Sequence, residues 1–92
     1  MTNWLRKNKG QIVILYCVNG IKITGKVTKV KKKSVKISEQ GKVKKDGQFV
    51  PNTTYDTGKN FIVNMCNIVY CTIGSIEDCS GVIKHEYSDC EE

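Results

Sequence analysis

Apolar and polar positions divide the first 73 residues into short blocks. Residues 2–9 hold two apolar side chains, Trp4 and Leu5, among polar ones. This pattern predicts a short helix, capped by Asn3 and ended by Gly10. The next block, QIVILYCV (11–18), is continuously apolar and rich in β-branched residues, as in a strand buried on both faces. Asn19-Gly20 follows, and both residues tolerate positive φ, so the pair predicts a tight hairpin turn. IKITGKVTKV (21–30) alternates through Ile21 and Ile23, then through Val27 after a change of phase near Gly25. A glycine inside a strand predicts a bulge or a sharp bend. KKK (31–33) reads as a turn, and SVKIS (34–38) alternates again.

The pattern fades over residues 39–60, EQGKVKKDGQFVPNTTYDTGKN, which are polar and include the only proline. The expectation here is a long exposed loop or ribbon, with a small hairpin across Asp46-Gly47. FIVNMCNIVYCTI (61–73) predicts two strands meeting near Asn64–Asn67. From Gly74 onward periodicity is weak, which predicts a mobile tail with one short turn packed by Val82 and Ile83. The division is thus a domain over 1–73 and a tail over 74–92. A short helix followed by five short strands, the second strongly bent, is the order of a mostly β, barrel-like domain.

Ninety-two residues make one domain, burying roughly 60–70% of the unfolded surface. With two Phe and one Trp, the core must come from Val and Ile. Charge divides the chain as the pattern does. Residues 1–73 carry 14 Lys/Arg and 3 Asp/Glu, a net of +11, whereas residues 74–92 carry a net of −5. A basic body with an acidic tail points to a polyanion partner and to a tail that competes for the basic surface. The plain alternative is a solvated, solubilising surface.

The five cysteines, Cys17, Cys66, Cys71, Cys79 and Cys90, contain no C-x-x-C pair, and the one histidine is His85, so no metal site or cofactor is expected. Cys17, Cys66 and Cys71 sit in apolar runs, where a thiol packs as a small hydrophobe. No phosphate-binding glycine loop or nucleophile–histidine pair supports an enzyme. The start, MTNWLRKNKG, lacks the apolar core of a signal peptide, and no apolar run is long enough to span a membrane. The expectation is a cytoplasmic protein.

The stretch YCVNGIKITGKV (16–27) resembles the first conserved motif of the bacterial Sm-like (LSm) family of Hfq: a tyrosine, two apolar residues, N-G-I-K, an apolar residue, a polar one and glycine. VNMCNIVYC (63–71) looks like the second Sm motif, although that motif is degenerate. The resemblance covers residues 4–38 and 61–73. It implies an N-terminal helix on a strongly bent five-stranded antiparallel sheet, an open SH3-like barrel. It also implies a homo-oligomeric ring, six subunits favoured over seven, closed by pairing the fourth and fifth strands edge to edge. On the face away from the helix such rings carry purine-rich single-stranded RNA. Tyr16 would then be a stacking platform, Asn19, Gly20 and Ile21 the turn that approaches the bases, Lys22 a phosphate contact, and Thr24 a neighbour of the bases. Arg6 and Lys7 match the basic rim on which RNA pairs are annealed.

Several positions depart from that pattern. The lysine-histidine or arginine-glycine pair that binds uridine is replaced around Asn64, Met65 and Cys66. The acidic residue of the first motif falls at Lys31, and the uridine-stacking pair at Lys32 and Lys33. Three adenine-reading positions fall at Thr24, Phe61 and Tyr70. The uridine pocket is therefore absent or rebuilt with lysines, and stacking and phosphate groups survive better than base-reading ones. The expected function is an RNA-binding ring and RNA chaperone in post-transcriptional regulation. Its rivals are an Sm-fold protein scaffold that has lost RNA binding and a monomeric barrel bound to ribosomal RNA.

Overall fold

In a computed structural model, which describes residues 1–86, a short helix precedes six strands. Helix α1 spans Thr2–Lys7. Asn3 lies within its first turn rather than capping it, because the helix already begins at Thr2, and no side chain caps its start. At the other end the Asn8 side-chain amide donates to the Trp4 carbonyl at 2.8 Å. Gly10, at φ +88°, then turns the chain, and its amide donates to the Val27 carbonyl at 2.8 Å. Leu5 is fully buried in the core, and Trp4 packs against its margin.

Strand β1 (Ile12–Cys17) and strand β2 (Lys22–Val30) form a hairpin closed by Asn19 and Gly20, both at positive φ as the tight turn requires. Up to Lys26, β2 pairs with β1; from Lys26 onward it pairs with β3 (Ser34–Lys45). The bend lies where the phase of the sequence changes. At Gly25 a Cβ would come within 2.5 Å of Ile37 Cγ2 and 2.6 Å of the Ser38 carbonyl oxygen. Only glycine lets the two halves of the sheet approach so closely.

Strand β4 (Gln48–Asn64) and strand β5 (Ile68–Ile73) complete an open sheet of order β4-β3-β2-β1-β5. One core lies on its concave side, built from Val13, Leu15, Val27, Val35, Ile37 and Val63 with Leu5, Cys17 and Ile68. Val and Ile dominate it, as the scarcity of large aromatics requires.

Two stretches differ from expectation. Residues 39–60 are not a loop. β3 and β4 run on past the core as a long arm, turned by Asp46 and Gly47, both at positive φ. Pro51 and Asn52 sit in a wide bulge of β4 between the pairs Lys44↔Phe49 and Lys42↔Thr54, where a missing N–H costs no ladder bond. The arm gives the described chain a length of 50 Å against widths of 23 and 19 Å.

The second difference lies after Gly74. Residues 74–86, expected as mobile tail, return to the sheet. A 3₁₀ turn at Ile76–Asp78 is held by a capping box between Ser75 and Asp78, and β6 (Gly81–Glu86) then pairs with the outer half of β3. That pair is parallel, so the sheet has six strands rather than five and is not wholly antiparallel. Gly41 and Gly81 permit the contact: a Cβ on Gly81 would stand 2.5 Å from the Gln40 carbonyl oxygen. The Tyr55 hydroxyl reaches across Gly41 and donates to the Val82 carbonyl. Asp89, Cys90, Glu91 and Glu92, the outermost part of the expected acidic tail, lie outside the described residues.

Candidate nucleic-acid interface

The convex face of β5, β1 and β2 carries the opening motif. Strand register places Tyr70, Tyr16 and Lys22 side by side in one row, through the pairs Tyr16↔Tyr70 and Tyr16↔Lys22. The two tyrosine rings stack with centroids 4.4 Å apart and planes inclined by 13°. Such a pair contributes ~0.5–1.5 kcal/mol beyond area burial and fixes both rings. Tyr16 is half-buried, whereas Tyr70 is 52% exposed. The ring that the pair leaves open is therefore the outer tyrosine, with Tyr16 as its backing.

The next residues of β1 on this face are closed off by the chain itself. Gly74 crosses Ile12 and Ile14: its amide donates to the Ile12 carbonyl at 2.9 Å, and a Cβ would lie 3.1 Å from Ile14 Cγ1. Ile14 is consequently buried. This explains why residues 12–15 are apolar at every position although the sheet is open. It also leaves the Tyr16 end of the face as the accessible part.

Of the residues singled out from sequence, Ile21, Lys22 and Thr24 line a hollow of about 350 Å³ closed by Glu39, Phe61 and Ser80. Asn19 and Ile21 line a second, of about 600 Å³, with Phe61 and Asn67. Gly20 serves the turn by its φ of +73°, and a Cβ there would meet nothing within 4 Å, so the requirement is conformational. Arg6 and Lys7 are exposed on the last turn of α1 and do not join the row. Lys31, Lys32 and Lys33 turn the chain at the opposite end of β2 from Lys22. The Lys33 carbonyl accepts from the Met65 amide at 2.8 Å, so this basic turn abuts the Met65–Asn67 turn between β4 and β5.

Sequence reading missed two groupings because both depend on register between distant strands. One is Tyr70 opposite Tyr16. The other is a row formed by Lys29, Lys36 and Ile62 across β2, β3 and β4. Lys29 and Lys36 face each other directly, an arrangement that costs stability until an anion screens it. Lys31 joins them around a cleft of about 200 Å³. Among the described residues the ion pair found is Lys84–Glu86 at 3.7 Å, so the lysines of the body keep their charge uncompensated there.

The thiols have a different character. Burial pushes Cys17 upward from the ordinary 9.0. Burial does the same at Cys71, against a lowering by the N-terminal charge. At Cys79 burial outweighs the opposing pull of Lys42. All three stay protonated at neutral pH, as packing groups do. Among the described residues no three His, Cys, Asp or Glu side chains gather into a metal site, and no helix is long and apolar enough to cross a membrane. No family model matches the chain, and no curated protein matches it.

Proposed function

We propose that the protein binds single-stranded, purine-rich RNA on the Tyr70–Tyr16–Lys22 row. The observation that carries this reading is the register itself: an exposed, backed aromatic ring and a lysine stand in one line across three strands. A base stacks on the outer ring while the neighbouring phosphate meets Lys22, the pairing of forces used by single-strand binders. The resemblance of residues 16–25 to the Hfq motif supports the same face. A single strand suits it better than a duplex, because a flat platform needs an unstacked base.

The same reading includes a closed homo-oligomer, six subunits favoured. Its support is that β4 and β5 are the two ends of the open sheet. Residues 61–73 carry no charged side chain, and Ile62, Val69 and Ile73 are exposed at 77%, 60% and 55%. An apolar strand edge of this kind calls for a partner strand.

Binding of labelled A-rich and U-rich oligonucleotides across a salt series tests the RNA reading. Tyr70→Ala and Tyr16→Ala should each weaken A-rich binding roughly five- to hundred-fold, the value of one stacked base. U-rich binding should fall less. Lys22→Ala should lower the slope of log affinity against log salt by about one for each phosphate that Lys22 neutralises. Wild-type affinity in all three variants would remove RNA from this face and leave a protein scaffold as the use of the fold.

A further inference from the structure

The arm carries a second arrangement of aromatic and cationic side chains, far along the chain from the first. Phe49 of β4 is directly opposite Lys44 of β3, and Lys44 is in turn aligned with His85 of β6. One face of the arm thus presents Phe49, Lys44 and His85 in a row. Lys42, two residues before Lys44 and on the same face, also reaches the ring. The ammonium groups of Lys42 and Lys44 each lie 5.6 Å from the centroid of Phe49. Despite this company the phenyl ring is 54% exposed. Neither lysine is ion-paired among the described residues. Beside the ring a cleft of about 400 Å³ opens between the β4 bulge and the 3₁₀ turn, with Asn52, Ser75 and Glu77 on its walls. This volume is within the range of small-ligand sites.

We infer that this face of the arm is a second station for single-stranded nucleic acid, in which one base stacks on Phe49 and Lys42 and Lys44 hold the phosphates on either side. The inference rests on the reading of the protein as an RNA binder and adds a site to it. An open ring between two ammonium groups offers both components of sequence-tolerant single-strand binding. The cleft favours a neutral base at its Glu77 side, with the anionic backbone held on the Lys42 and Lys44 side, because Glu77 repels any anion. The Glu77 carboxylate already accepts from the Ser75 hydroxyl at 2.9 Å, and its remaining lone pairs, with the Asn52 side chain, can accept from the exocyclic amines of a base, which an acidic peptide lacks. The arm is stiff enough to hold such a site: β6 makes it three-stranded, and the Gly41–Gly81 approach locks that third strand on.

The test uses the full chain and an A-rich oligonucleotide carrying photoreactive thiouridines, cross-linked by ultraviolet light and mapped by peptide mass. Cross-links should fall on the peptide containing Phe49 as well as on those containing Tyr16 and Tyr70. Phe49→Leu should abolish the first and lower affinity about five-fold or more. The pair Lys42→Gln and Lys44→Gln, which leaves the ring in place, should reduce the salt slope by about two. Tyr16→Ala should leave the Phe49 cross-link intact. Cross-links confined to Tyr16 and Tyr70, with Phe49→Leu binding as wild type, would overturn the arm site and leave the first face standing. Cross-links at Phe49 together with wild-type affinity in the Tyr16 and Tyr70 variants would uphold the arm and overturn the first face. No binding by the wild-type chain would overturn both. Displacement of the RNA by a polyglutamate peptide of equal charge, undiminished in Phe49→Leu, would assign the lysines to an acidic polypeptide and end the nucleic-acid reading of the arm.

Discussion

Gly25 shows how one residue sets the geometry of the site. It lies where β2 leaves β1 for β3, and a Cβ there would meet Ile37 and the Ser38 backbone. Gly25→Ala should therefore destabilise the fold by ~1–3 kcal/mol, the usual cost of overpacking a filled site. Gly20→Ala, where space is open, pays mainly for its positive φ. Urea unfolding of the two variants measures the difference, and an unchanged midpoint for Gly25→Ala would mean that the bend does not depend on glycine. The role of Gly25 was legible in the sequence because the alternation of apolar residues changes phase there. Tyr16 and Lys22 were legible for a related reason: the Asn-Gly turn fixes their mutual register within one short hairpin. Tyr70 was named only through the family resemblance and was not placed against Tyr16, since some fifty residues separate them and no local rule sets that register.

Among elements, the arm and β6 depend on one another. A two-stranded ribbon extending from a core is marginal in water, and a third strand makes it persist. Ending the chain after Ile73 should therefore free the backbone amides of residues 42–56 to exchange within seconds to minutes, whereas ending it after Glu86 should leave them protected. Hydrogen exchange followed by mass spectrometry separates the two cases; equal protection in both would make β6 an ornament of the arm. The sequence disclosed the Asp46-Gly47 turn but concealed the strands flanking it. Much of β4 in the arm is solvated, and the buried positions of β3 there include Gln40 and Gly41, so residues 39–60 lack the apolar alternation that identifies a strand with one buried face. β6 was hidden for the same reason, and because parallel pairing needs a distant partner rather than a turn. The short strands over the core, whose buried positions apart from Gly25 are filled by apolar side chains, were readable.

For the whole molecule, the open ends of the sheet matter most. Light scattering at micromolar concentration should show a closed oligomer with no appreciable monomer, and Ile62→Lys together with Val69→Lys should release monomers by placing charge on both edges. A monodisperse monomer in the unmodified protein would remove the ring and confine the proposed RNA face to single subunits. The sixth strand has a consequence in time as well as in space. β3 meets β4 across a two-residue turn, but Gly41 meets Gly81 across forty positions. The core has a longer span still, Val13 to Ile73, so it is the order of synthesis and not the separation that puts β6 last. A chain leaving the ribosome presents every strand of its bent core before the strand that finishes its arm, and the outer edge of β3 stays bare until β6 has been synthesised. During that interval the edge is open to the β6 of a neighbouring chain, until the tethered strand arrives at a higher effective concentration, so the order of synthesis, and not only the final geometry, decides whether each arm is finished by its own strand.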